Sequence, residues 1–408
     1  MKISVLFVDD EMKVLMGLRR MLHSTRDKWE CTFANSGREA LKFLSMSKFD
    51  VVVSDMRMPN MDGAELLGKV KELHPNTIRI VLSGQCDRVS SYDVVNSSHQ
   101  FLSKPCEKNV VISTINRALA LRNLLSSNEL QSLVTGLRHV PCLPENYLEL
   151  ESELNSDYSS VSKIADIISK DIGLTAKLLQ MSNSAYFGIG RKVSSTKEAV
   201  KRIGTDTIRA LVLSHGIFQQ LKADDEAQKD FEKMSQHGID CGFLVKKIVF
   251  AEGLSSFDAD SAFTAGLLHD VGSLVLMHNQ PEEYAKAKLM AKEKKMPMWE
   301  AELKVFGTSH DVIGAYLAEL WGMPTGVIEA IAFHHHPLEC HQQEFNTLTA
   351  VHVAEGLLYI QAKNFDPEVY EKAMDFPYLE QLGLSDHFNK WLALVKSQED
   401  ISEIEESA

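Results

Sequence analysis

Aspartates stand at positions 9, 10 and 55, a serine at 83 and a lysine at 104, each at the end of a short apolar run: ISVLFV, VVVS, IRIVL and QFLS. Three carboxylates gathered at one sheet edge repel one another, and a hard cation with oxygen ligands, Mg²⁺, relieves that repulsion. Asp55 could then attack a phosphoryl group and become an acyl phosphate. Lys104 would pair with the new dianion as a point charge, and the Ser83 hydroxyl would donate to one of its oxygens. Pro105 is expected to fix the turn that aims the ammonium, through a cis bond.

A second set lies in the later half: His237 in MSQHGIDCG, the adjacent pair His269–Asp270 in AGLLHDVG, His310 in GTSHDVIG and His334 to His336 in IAFHHHP. Imidazole with carboxylate is a ligand set for a divalent transition metal such as Zn, Mn or Fe. A His-Asp pair at a helix end can aim both side chains at one ion, and the spacing to the other histidines allows a helix-turn-helix excursion each time. Histidines satisfied as hydrogen-bonded helix ends are the other reading. NSAYFG at 183–188 reads as a helix stop with two aromatics beside it. Gly272 fits close helix packing, and Trp321 and the Met-rich stretch at 290–298 fit core and surface filler.

The first set needs strands to hold it. Through about residue 120 the chain alternates apolar runs with amphipathic stretches, which predicts a doubly wound α/β unit with a five-stranded parallel sheet and sites at the strand C-terminal ends. After about residue 125 the apolar residues recur at three and four, helix after helix, which predicts an all-α unit. We divide the chain at 1–122, a helical connector at 123–138, a two-lobed helical domain at 139–360, and a helical extension with an acidic tail at 361–408.

The totals narrow the rest. A chain of 408 residues suggests two or three domains. Its formal net charge of −13 works against nucleic acid and anionic lipid, and no apolar run approaches the length of a membrane span. Six cysteines without a CxxC pair argue against a disulfide frame and against a thiolate zinc site. A cytoplasmic protein with protein partners or small ligands is expected.

At FVDDE, VVVSDMRMPNMDG, VLSG and FLSKP the sequence resembles the receiver domain of bacterial two-component response regulators, a flavodoxin-like fold, over residues 1–122. The resemblance implies that Asp55 is phosphorylated by a sensor histidine kinase and that Asp9, Asp10 and the Arg57 main-chain carbonyl join Asp55 around Mg²⁺. Phe101 occupies the position of the aromatic that turns inward as Ser83 moves toward the phosphoryl group, repacking the face of the fourth helix, fifth strand and fifth helix.

Residues 140–360 look like the HDOD branch of the HD superfamily, on VPCLPENYLELESEL, DIGLTAKLLQMSNSAYFG, SSTKEAVKRIGTDTIRALVL, AFTAGLLHDVGSLVL and FGTSHDVIGAYLAELWGMP. That resemblance implies a non-catalytic interaction module binding another signalling protein, in the setting of cyclic-di-GMP signalling, with a homodimer compatible. The related HD-GYP phosphodiesterases supply the alternative, a metal-dependent phosphohydrolase with His237, His269, Asp270, His310, His334, His335 and Glu355 as ligands. The pattern departs from theirs. Ser273 stands where they have lysine, no G-Y-P loop follows the paired histidines, and Glu355 in HVAEGLLY would replace their closing aspartate.

Overall fold

The apolar runs become the strands β1 (Ile3–Val8), β2 (Trp29–Ala34), β3 (Val51–Asp55), β4 (Ile78–Gly84) and β5 (Gln100–Lys104). They form one parallel sheet in the order β2-β1-β3-β4-β5. Between them run α1 (Met12–Met21), α2 (Gly37–Met46) and α3 (Gly63–Leu73), and α4 (Lys108–Leu124) follows β5. Because a sheet buried on both faces needs apolar side chains pointing both ways, β1 and β3 are buried almost throughout. Phe7, Val5 and Val53 face one core with α1 and α4, while Leu6, Val8 and Val52 face the other with α2 and α3. This is the expected α/β unit.

The computed structural model describes residues 2–84, 98–124, 140–156, 159–183, 192–205, 225–340 and 344–396, with a few isolated positions between them. The fourth helix expected in the first unit, most of the 123–138 connector, residues 184–188 of NSAYFG, His341 and the acidic tail lie outside that set.

From residue 140 the described elements are helical. α5 (Pro144–Leu154), α6 (Val161–Ser169), α7 (Ile172–Ser182) and α8 (Thr196–Ile203) form a first lobe. Asp171 ties it together: one carboxylate oxygen caps α7 by accepting from Leu174 N, and the other accepts from Leu143 N, just before α5. Then come α9 (Asp225–Ala251), α10 (Ser256–Leu268), α11 (Val271–Asn279), α12 (Pro281–Lys294), α13 (Met298–Phe306), α14 (His310–Leu320), α15 (Thr325–Phe333) and α16 (Thr347–Ala362). After these lie α17 (Tyr370–Ala373) and α18 (Phe376–Gln381), and one further helix covers 388–396. One continuous apolar core joins both lobes and includes Trp321. Met290, Met296 and Met298 pack partly buried against it. Among the described residues no helix is long and apolar enough to cross a membrane.

Closest approach happens at Gly272. A Cβ there would lie 2.0 Å from the His310 carbonyl oxygen, so only a bare Cα lets α11 meet the start of α14. The packing role expected for this glycine is thus met, and it brings Asp270 beside His310.

The two units touch. Buried Glu319, in the last turn of α14, pairs with Arg117 of α4 at 2.6 Å and accepts from Gln100 Nε2 of β5 at 3.0 Å. Arg117 also donates to Thr325 at the start of α15 at 2.9 Å.

Candidate functional site

In the first unit, the parallel register places Asp9, Asp55 and Lys104 at the C-terminal edge of the sheet. Lys104 Nζ donates to Asp9 Oδ2 at 2.6 Å and to Asp55 Oδ1. The remaining oxygen of each carboxylate accepts a main-chain amide, Glu11 N for Asp9 and Arg57 N for Asp55, both at 2.9 Å. Asp9 and Asp55 are buried and Asp10 is exposed. Burial pushes the Asp55 carboxyl above its usual range; Lys104 and the Arg57 amide pull it back, and Asp9 pushes it further up. The Lys104–Pro105 bond is cis, as expected. An all-oxygen set of neighbouring carboxylates fits a hard divalent cation. Ser83 and Phe101 occupy β4 and β5, while their side chains lie outside the described residues.

In the helical unit, six elements converge. α9 carries His237 and α16 carries Glu355. His269 closes α10, Asp270 precedes α11, His310 opens α14 and His334 closes α15, followed by His335. All seven expected ligands come together. Asp270 Oδ1 lies 3.1 Å from His310 Nε2 and 3.8 Å from His334 Nε2, while Oδ2 lies 3.4 Å from His269 Nε2 and 3.9 Å from His237 Nε2. Glu355 Oε2 lies 2.9 Å from His237 and 3.5 Å from His269. Three groups of ligand atoms are compact enough for one ion each: His310–His334–His335, His237–His269–Glu355 and His269–Asp270–His334.

Whether these residues fit an ion is decided by their free atoms. Nδ1 of His269 donates to Gly266 O at 2.6 Å and Nδ1 of His334 donates to Ile331 O at 2.8 Å. A main-chain carbonyl only accepts, so each ring carries its proton on Nδ1 and turns Nε2 inward. Both of those Nε2 atoms are buried without a hydrogen-bond partner. Buried imidazole nitrogens aimed at carboxylates from converging helices fit a divalent transition metal.

The charges agree. Burial alone would raise the Asp270 carboxyl, but His269 and His310 hold it well below the usual range, and His237 and His269 do the same for Glu355. Burial and neighbouring histidines push His334 down to about 4 and His335 well down, so those two rings are neutral. His336 stands apart, edge-on to Trp299. Half-buried His387 bonds Glu252.

Comparison with known proteins accords with this geometry. Residues 5–116 match the response regulator receiver domain and residues 140–337 match the HDOD domain. The chain thus carries a receiver domain followed by an HDOD domain. An uncharacterized protein of Treponema pallidum is 30% identical over 226 residues, 54% of this chain and 43% of that one. The DNA-binding transcriptional regulator NtrC of Klebsiella pneumoniae is 34% identical over 116 residues, 28% of this chain and 24% of its own. The chain therefore spans less than half the length of either relative. Among solved structures, the MmoQ response regulator of Methylococcus capsulatus aligns with TM-score 0.47 and 25% identity, covering 62% of this chain and 97% of that one.

The motif reading missed two residues. Glu302, behind His310, lies in an amphipathic helix, and Glu319, at the seam between the units, lies in a helix buried on nearly every side, neither with a local signature.

Proposed function

We propose that this protein is a phosphorylation-controlled switch: a sensor histidine kinase or a small acyl phosphate modifies Asp55, and the change alters how the HDOD domain meets another signalling protein. The domain boundaries at 1–122, 123–138, 139–360 and 361–408 belong to the same reading. The carrying observation is the seam, where β5 and α4 of the receiver bond to α14 and α15, the helices that end or begin at His310 and His334.

In the transfer step an Asp55 carboxylate oxygen attacks phosphorus, the bond to the donor breaks, and its electron pair leaves with the donor. The new acyl phosphate carries close to two negative charges. Asp9, Asp10 and Asp55, with the Arg57 carbonyl, are the groups that would hold Mg²⁺, whose contribution is charge neutralisation. Lys104 already spans Asp9 and Asp55 and would turn to the phosphoryl oxygens. Drawing Lys104, Ser83 and Phe101 toward that charge moves β5, and Gln100 is the residue before Phe101. A coupling of about 1–3 kcal/mol changes partner affinity roughly 5–150-fold.

The HDOD centre, His237, His269, Asp270, His310, His334, His335 and Glu355, would hold a divalent transition metal. Lewis acidity is the chemistry such an ion supplies. A second reading, phosphodiester hydrolysis with cyclic-di-GMP as the candidate substrate, is favoured by one observation, the Asp270 carboxylate with one oxygen toward each of two ligand groups. Ser273 and the lack of a G-Y-P loop favour the interaction reading.

A pull-down with wild type and Asp55→Glu should recover different amounts of a bound protein. Equal recovery, with and without phosphorylation, would count against the switch. Metal analysis and a cyclic-di-GMP assay separate the two readings of the output domain: metal without turnover supports the first, and hydrolysis lost in His269→Ala and Asp270→Ala supports the second.

A further inference from the structure

Behind the His310 ring sits a carboxylate that none of the motifs assigns. Glu302 of α13 has 0% exposure, and its Oε2 accepts from both His310 Nδ1, at 2.6 Å, and the His310 main-chain N, at 2.9 Å. A carboxylate bonded this way only accepts, so His310 Nδ1 carries a proton toward Glu302 and Nε2 is the nitrogen turned to Asp270, at 3.1 Å. His269 and His334 lean on neutral main-chain carbonyls at the same atom, so His310 differs in having a charged acceptor. Its Nε2 also lies 3.0 Å from His335 Nε2. The other Glu302 oxygen accepts from Ser273 Oγ at 3.4 Å. The carboxylate is therefore held from two helices, α11 and α14. A fully buried glutamate is costly to keep, and what it does here is fix one imidazole at two points.

We infer that Glu302 is a positioning residue for the HDOD metal centre: it sets the rotation and tautomer of His310 and strengthens Nε2 as an electron-pair donor. The inference rests on the reading that the seven-residue cluster takes up a divalent transition metal. A carboxylate behind a coordinating imidazole typically contributes ten- to a hundredfold in metal affinity. Glutamine in its place could still accept from Nδ1–H through its amide oxygen, without the charge.

Cobalt(II) is the probe, added to the full chain, with affinity from titration and ligand geometry from its visible absorption. Glu302→Ala should weaken cobalt binding roughly ten- to a hundredfold and alter the visible bands, and Glu302→Gln should recover part of both. Thermal unfolding of the metal-free proteins separates this from a role in folding alone. Wild-type affinity and an unchanged spectrum in Glu302→Gln and Glu302→Ala, whatever their unfolding temperature, would overturn the inference. If Glu302→Ala does not fold, Glu302→Gln decides by the same two measurements. Wild-type protein that takes up no cobalt would instead overturn the metal reading beneath it.

Discussion

Two buried aspartates around one ammonium form a device with a single moving charge. Lys104 bridges Asp9 and Asp55, so its loss would leave two buried carboxylates facing each other. Lys104→Met should lower receiver stability by about 1–3 kcal/mol, measured by urea unfolding. Asp55→Ala should abolish labelling by acetyl phosphate in a mass measurement of the intact protein, and persistent labelling would mean another acceptor. At this scale much was legible in the sequence: charged residues after apolar runs, at intervals a parallel sheet would align, and histidines at helix ends. Glu302 was not legible because it acts on a residue eight positions later, across a turn between helices, and nothing in either helix's periodicity points at the other.

Helices bring these residues together only where their backbones can approach. Gly272→Ala would force a methyl group against the His310 carbonyl, an overpacking that should cost about 1–3 kcal/mol or more. We expect a fall of several degrees in the unfolding temperature together with loss of metal uptake. The end of α9 offers a second element-scale test. Glu252 accepts from Trp391 Nε1 at 2.8 Å and pairs with Lys390 and His387, tying the 388–396 helix to α9. Burial alone would push its carboxyl up, but the Trp391 and Lys390 donors and the nearby His387 outweigh that and hold it below the usual range. A carboxyl lowered in the folded state stabilises above its ordinary pKa, and that contribution is lost as pH falls through the lower value. Acid should therefore loosen this helix, and Glu252→Gln should show less dependence of stability on pH below about 4.5. The helices themselves were legible from their three-and-four spacing, whereas this tie joins residues far apart in the chain and had no local sign.

For the molecule as a whole, the seam decides whether two domains act as one. Glu319 is buried while its partner Arg117 is partly exposed, with 38% side-chain exposure, so the pair deserves less than the full value of a buried ion pair. Glu319→Ala should weaken docking by about 1–3 kcal/mol. Calorimetry should then resolve two transitions closer to independent unfolding, and limited proteolysis should cut between the domains faster. The sequence carried the two folds and their order. It did not carry the seam, because docking depends on which faces of two finished domains meet.

α14 has Glu319 in its final turn and His310 at its start, about 14 Å apart along the helix axis at 1.5 Å per residue. A rod gripped at both ends transmits in either direction. Whatever occupies the histidines must then bias the phosphorylation equilibrium at Asp55 by the same free energy with which phosphorylation biases occupancy. The output half would thus report back to its own input.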